Sequence, residues 1–141
     1  MLFRSVESAT LTAAHAAKAI HYCSLAGAAA YEQAAFAESE RHYEAALSLR
    51  EGQEVDHEMA VLLLGLGKAQ TGQFKIREAW RALRRALDVF IGTQDHRRVM
   101  EAGAIVSGME FLNAYQKSAV TRALDTLPAG TRERAELAEV Y

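Results

Sequence analysis

The chain has 141 residues, half of them apolar, and a formal net charge of -2, enough for one domain and without an overall field that would attract nucleic acid. Alanine dominates the apolar half, there is one proline, and no Asn-Gly hairpin signal occurs, so the composition predicts an all-α chain. No apolar run reaches the roughly 18 residues of a membrane span, no signal-peptide pattern opens the chain, and the single Cys23 cannot close an internal disulfide. These features predict a cytoplasmic protein.

Residues 1–11 carry little pattern and are expected to be poorly ordered. Met1-Leu2-Phe3-Arg4-Ser5 also matches one reading frame of a common sequencing-adapter tail, which makes residues 1–5 an expected scar and the natural chain longer upstream. From about Thr12 to Ala34 an alanine-rich segment with Ile20, Tyr22, Leu25 and Tyr31 predicts a long helix through Gly27. A second helix is expected over Glu38 to Leu49, with Tyr43, Ala46 and Leu47 on its apolar side and Gly52 fitting the left-handed position beyond its end.

Two apolar periodicities follow. Ala60, Leu63, Leu64, Leu66 and Gly67 form the first; Ile76, Ala79, Trp80, Leu83, Ala86, Leu87 and Phe90 form the second. Spacings of three and four place each set on one helix face. Thr71-Gly72-Gln73 lies between them, with Gly72 expected to end the first helix and let the chain reverse. Trp80, Phe74 and Phe90 read as core. Gly92-Thr93-Gln94 makes the next break, and Asp95 is the expected N-cap of a helix to about Leu112, with Val99, Met100, Ala102, Ile105, Val106 and Met109 inward or near the inward face. A sixth helix is expected over Gln116 to Leu127, stopped by Pro128-Ala129-Gly130. Thr131 would cap a seventh, which ends uncapped, as a truncated helix would.

The helices fall into pairs that align with one another. Leu63-x2-Leu66-Gly67-x2-Gln70 with Ala79-x3-Leu83-x2-Ala86 matches Cys23-x2-Ala26-Gly27-x2-Ala30 with Ser39-x3-Tyr43-x2-Ala46. Downstream, Met100-x2-Gly103-Ala104-x2-Ser107 pairs with Gln116-x3-Val120-x2-Ala123-x4-Pro128. Tyr43, Leu83 and Val120 are 40 and 37 residues apart, longer than the usual tetratricopeptide period of about 34, with the extra residues in the connections. The pattern resembles degenerate tetratricopeptide repeats. That resemblance implies an α-solenoid of antiparallel helix pairs with a right-handed superhelix, as a single repeat domain over 12–141 with pairs at about 12–52, 54–92 and 95–128 and a further helix from 131 to 141.

A narrower resemblance lies in Ala17-Lys18-Ala19-Ile20-His21-Tyr22, in Ser39 to Leu47, in Gly65-Leu66-Gly67-Lys68-Ala69-Gln70 and in Ala123 to Pro128. These look like the helical-repeat regions of large bacterial signalling ATPases, some of which end in a LuxR-type DNA-binding domain. No Gly-x4-Gly-Lys-Ser/Thr phosphate loop occurs in this chain, so the resemblance implies a regulatory role for a parent protein of which this is a fragment.

Catalysis has little foothold. His15, His21, His42, His57 and His96 show no metal-ligand spacing, and Glu38 with His42 supplies at most half of a di-metal carboxylate site. Ser107, Ser118 and Cys23 lack an activating context, and Cys23 reads as a buried, inert thiol. The expectation is a non-enzyme with no catalytic residue, metal or cofactor. Charge says more. Between Glu32 and Glu58 eight carboxylates face two arginines, and between Lys75 and Arg98 seven cations face three carboxylates.

Arg77, Arg81, Arg84 and Arg85 fall opposite the Leu83 and Ala86 stripe, as a solvated face or a docking patch for an acidic protein segment. Head-to-tail contact with the acidic half of a second copy is a further use of the same charges. The repeat resemblance implies a groove lined by His21, Ser24, Tyr31, Lys68, Arg98 and Glu101, with Lys68 and Arg98 as part of a carboxylate-reading clamp. The expected function is therefore a protein-interaction or sensor scaffold whose partner is a protein, a peptide or another domain of a parent chain, with no membrane. A nucleic-acid-associated module using the Arg77–Arg85 face is the alternative, less favoured because aromatics are not interleaved there.

Overall fold

The computed structural model describes the backbone of residues 2–109 and the side chains of 11–109, together with Asp125 and Gly130. Every regular element among the described residues is an α-helix: α1 (Leu2–Glu32), α2 (Phe36–Ser48), α3 (His57–Gly72), α4 (Ile76–Gly92) and α5 (residues 96–109). The chain divides into two compact units, residues 1–103 and 104–141. In the second, residues 104–109 and Asp125 are helical and Gly130 has φ +83°. The helices expected over Gln116 to Leu127 and from Thr131 lie outside the described residues.

α1 begins at Leu2, ahead of the Thr12 start marked by its apolar pattern. Residues 2–11 contain neither Gly nor Pro, so once α1 is nucleated nothing local stops its propagation toward the N-terminus.

Within the first unit each helix packs on the next in sequence: α1 on α2, α2 on α3, α3 on α4. The centrally placed α3 is buried on more than one side, with Met59, Ala60, Leu62, Leu63, Leu64, Leu66 and Ala69 all in the core. α4 contributes only one stripe, Ala79, Ala82, Leu83, Ala86 and Phe90. Small residues let these helices approach closely. Tyr43 on α2 is the wedge: a Cβ at Gly27 on α1 would lie 2.8 Å from its ring, and a Cβ at Gly65 on α3 would overlap the same ring. Gly67 on α3 meets Leu83 on α4 in the same way. The buried Ser39 hydroxyl adds a polar tie, donating to the Gly27 carbonyl oxygen at 2.7 Å.

Three helix ends share one backbone motif. Ala35, Lys75 and Asp95 donate their N–H to the carbonyls of Ala30, Gln70 and Phe90, five residues back. One residue earlier, Ala34, Phe74 and Gln94 donate to Tyr31, Thr71 and Ile91. This paired pattern places the middle residue in the left-handed region, and Ala34, Phe74 and Gln94 have φ of 57°, 60° and 58°. Gly72 is therefore not the reversing residue. It is the last residue of α3, and its missing side chain leaves room for the Phe36 ring, which a Cβ would approach to 2.6 Å.

Other expectations are corrected by the same packing. Phe74, expected in the core, is 85 % exposed at its left-handed turn, and Trp80 is 39 % exposed on the edge of α4, whereas Phe90 is fully buried. Trp80 lies about 100° around the helix from Ala79, at the margin of the stripe rather than within it. Met100, expected on or near the inward face, is 73 % exposed, while Ala102 close by is buried. Cys23 is half-buried rather than sealed in the core.

Candidate functional site

The six residues expected in a groove separate into one cluster and three outliers. Lys68, from the fourth turn of α3, gathers the cluster. Its Nζ donates to Glu101 Oε1 on α5 at 3.0 Å and sits 4.8 Å from the ring centroid of Tyr31 on α1. Three helices thus meet at one ammonium group. Burial pulls the Lys68 pKa down, but the Glu101 carboxylate outweighs it and holds the group above its ordinary value. Burial likewise raises the neighbouring Tyr43 phenol, opposed by the Lys68 charge.

Arg98 does not join them. Its Nη1 donates to Asp95 Oδ2 at 2.7 Å, three residues back at the start of the same helix. His21 is exposed, with its ring 6.0 Å from that of Tyr22, and Ser24 is half-buried on α1. Each cation of the expected clamp thus has a carboxylate partner within the chain, Lys68 on Glu101 and Arg98 on Asp95.

Asp95 itself caps α5, accepting the Arg98 N–H at 3.3 Å, as its position after Gln94 predicts. It also lies 2.9 Å from His57 Nε2 at the start of α3. His57 and Arg98 together hold the Asp95 carboxyl far below the usual carboxylate range. The His57 ring stands edge-on to Phe90 with centroids 5.6 Å apart, joining the first turn of α3 to the end of α4.

Two further ion-pair groups carry no sequence motif. Asp56 caps α3 by accepting the Met59 N–H at 3.0 Å, and Arg50 grips both its oxygens at 2.7 and 2.8 Å. The Arg50 bonds hold the Asp56 pKa at about 2. Glu40, only 7 % exposed, accepts from Lys75 Nζ at 2.7 Å and Gln73 Nε2 at 3.2 Å. Burial pushes its carboxyl up, and the donors from Lys75, Gln70 and Gln73 outweigh that and bring it down. The other end of the Gln70 amide, Oε1, is buried with no partner. Local signals for these groups exist only in part: Asp before an apolar run marks the α3 cap, but nothing in the linear order links Glu40 to Lys75.

The basic face differs from all of these. Arg77, Arg81, Arg84 and Arg85 are exposed on α4, and none of them has a carboxylate partner among the described residues. Arg84 instead lies over Trp80, its guanidinium carbon 5.2 Å from the ring centroid. Periodicity places Trp80, Arg84, Leu87 and Ile91 in one row along α4, with Arg77, Arg81 and Asp88 in the next. Sequence reasoning found the arginines and misplaced the aromatic beside them, because Trp80 fits the outer limit of the apolar stripe as well as it fits the surface.

No group of three or more His, Cys, Asp or Glu side chains among the described residues is arranged to hold a metal ion. No helix among them is long and apolar enough to cross a membrane. No protein-family model, curated protein or solved structure matches the chain.

Proposed function

We propose that the chain is a non-enzymatic protein-interaction or sensor scaffold, an α-solenoid of antiparallel, tetratricopeptide-like helix pairs serving a bacterial signalling or transcription-regulating protein. Equivalent contacts at a constant offset support the repeat reading. Gly27 packs on Tyr43 as Gly67 packs on Leu83, and the turn closed by Ala30 and Ala35 repeats at Gln70 and Lys75, each position 40 residues on. Connections of three residues between α1 and α2, and again between α3 and α4, suit antiparallel partners.

One observation carries the choice of surface. Arg50, Lys68, Lys75 and Arg98 all have a carboxylate partner within the fold, and the four α4 arginines have none among the described residues. An exposed helix face with four unneutralised guanidinium groups fits an acidic protein segment, through forked hydrogen bonds to carboxylates.

A photo-crosslinking amino acid at Arg85, and in a control protein at Lys18 on the exposed side of α1, tests the reading in source cells. Protein adducts identified by mass spectrometry at the α4 position, absent at the control position, are expected. Adducts to nucleic acid alone would instead establish the alternative use of the Arg77–Arg85 face. Equal labelling at both positions would leave α4 with no special role and overturn the choice of surface.

A further inference from the structure

We infer that the segment docking on α4 is amphipathic, presenting a large aliphatic or aromatic side chain beside its carboxylates; this rests on the acidic-partner reading above. The reason is that α4 does not offer charge alone. Trp80 and Ile91 are both exposed, the latter by 57 %, and the half-buried Leu87 lies between them in the same row. That row runs from Trp80 to Ile91, eleven residue steps or about 16 Å at the α-helical rise. The neighbouring row of Arg77, Arg81 and the exposed Asp88 runs beside it over about 16 Å. Arg84 lies in the apolar row itself, set against the Trp80 ring, so charge and apolar surface meet at one point.

Exposure of Trp80 and Ile91 is not required by the fold. The core stripe of α4 is complete without them, made of three alanines, Leu83 and Phe90. The face also works against the helix that carries it. Arg77 sits in the first turn, where the helix dipole favours acids, and Glu78 in the same turn makes no ion pair with it. A ligand carboxylate near Arg77 and Arg81 would meet both the guanidinium groups and the positive end of α4. An apolar side chain of the same ligand would cover Trp80. Residues three or four apart on a partner helix, or two apart on a strand, reach both rows. An acidic segment without the apolar residue would use half of the surface.

Trp80 is the only tryptophan of the chain, so its fluorescence reports directly on this face. Two synthetic peptides of equal negative charge serve as probes, one carrying Leu and Phe among its glutamates and the other Ala and Ser in their place. The expected result is a blue shift of Trp80 with the first peptide and binding about tenfold tighter than for the second. Ile91→Ala and Trp80→Phe, both checked for native circular dichroism, should shrink that preference; for the tryptophan-free variant a labelled peptide gives the affinity. Arg81→Glu with Arg84→Glu should abolish binding of both peptides.

Equal affinities for the two peptides would overturn the inference and leave the acidic-partner reading standing. Failure of both peptides to bind would overturn the two together. Tighter binding of a single-stranded oligonucleotide than of either peptide would also overturn both, in favour of nucleic acid. A Trp80 shift that grows with protein concentration in the absence of peptide would replace the ligand by a second copy.

Discussion

Single residues show where this fold has no slack. Tyr43 fills the space between Gly27 and Gly65, so its ring meets two neighbouring helices where neither carries a side chain. Gly65→Ala inserts a methyl group into the Tyr43 ring, and overpacking of this kind costs about 1–3 kcal/mol. Alanine is the better helix former, by about 1 kcal/mol at an exposed site, so packing and propensity oppose each other here. Chemical denaturation should show net destabilisation of Gly65→Ala, and little change for Gly92→Ala, where a Cβ would meet nothing within 4 Å. Asp56 gives a second case. Its carboxyl is held at about 2 against an ordinary 3.8, chiefly by Arg50. A depressed carboxyl stabilises the fold above its unfolded pKa, so this contribution is full above about pH 4 and is lost as pH falls toward 2. Asp95 acts in the same direction through His57 and Arg98. Unfolding followed from pH 6 to pH 2 should therefore show falling stability, and Asp56→Asn should flatten the slope. Asp56→Ala also removes the α3 cap and should cost about 1 kcal/mol more than Asp56→Asn at neutral pH. Equal stability of the two variants would show the cap bond to Met59 to be idle.

At the scale of elements, the turns carry the information that sequence reasoning could not reach. Helix existence and the inward faces of α2 and α3 were legible from spacing: Tyr43, Ala46, Ala60, Leu63, Leu64 and Leu66 all lie in the core. Helix ends were sought at glycines, and Gly52 is left-handed beyond α2 as expected, yet the left-handed residues that close α1, α3 and α4 are Ala34, Phe74 and Gln94, none of which marks a turn by its chemistry. The reason is physical. Each is fixed by two backbone hydrogen bonds and by the packing of the helices it joins, and such a tertiary constraint outweighs the local preference of one residue. A non-glycine residue in this region costs about 1 kcal/mol or more relative to glycine. Phe74→Gly should accordingly raise stability by about 0.5–1 kcal/mol, since the ring it removes is largely in solvent. Thermal unfolding measures this directly, and a lower midpoint would show that the Phe74 ring packs in solution. The candidate site was half legible for a related reason. Arginines four and three apart declare an exposed face, but Lys68, Glu101 and Tyr31 meet only because three separate helices converge. The partner that neutralises Lys68 belongs to the fold rather than to any motif, whereas Arg98 pairs locally with the cap residue Asp95, three positions back.

For the whole molecule, the packing order predicts how the structure comes apart. In the proposed stack each helix is held mainly by its sequence neighbours, so stability adds up along the chain from local interfaces. α3 has a packed neighbour on each side and the densest core, while α1 packs chiefly on α2 and meets α3 at few points. The described side chains of α1 ahead of Ile20 are exposed or half-buried, so its N-terminal half is held by helix propagation more than by burial. Native-state hydrogen exchange should therefore grade protection along the chain. Amides of Leu62 to Ala69 should exchange only by global opening, those of Ala82 to Phe90 close behind, and those of Leu11 to Lys18 by local fraying. Tyr43→Ala removes a buried side chain that ties α1 to α2 and α3 at once. It should release the whole of α1 to fast exchange while Ala82 to Phe90 keep most of their protection, because Gly67 and Leu83 still join α3 to α4. Uniform loss of protection across α1 to α4 in that variant would mean that the helices unfold as one cooperative block, and the additive stack would have to be abandoned.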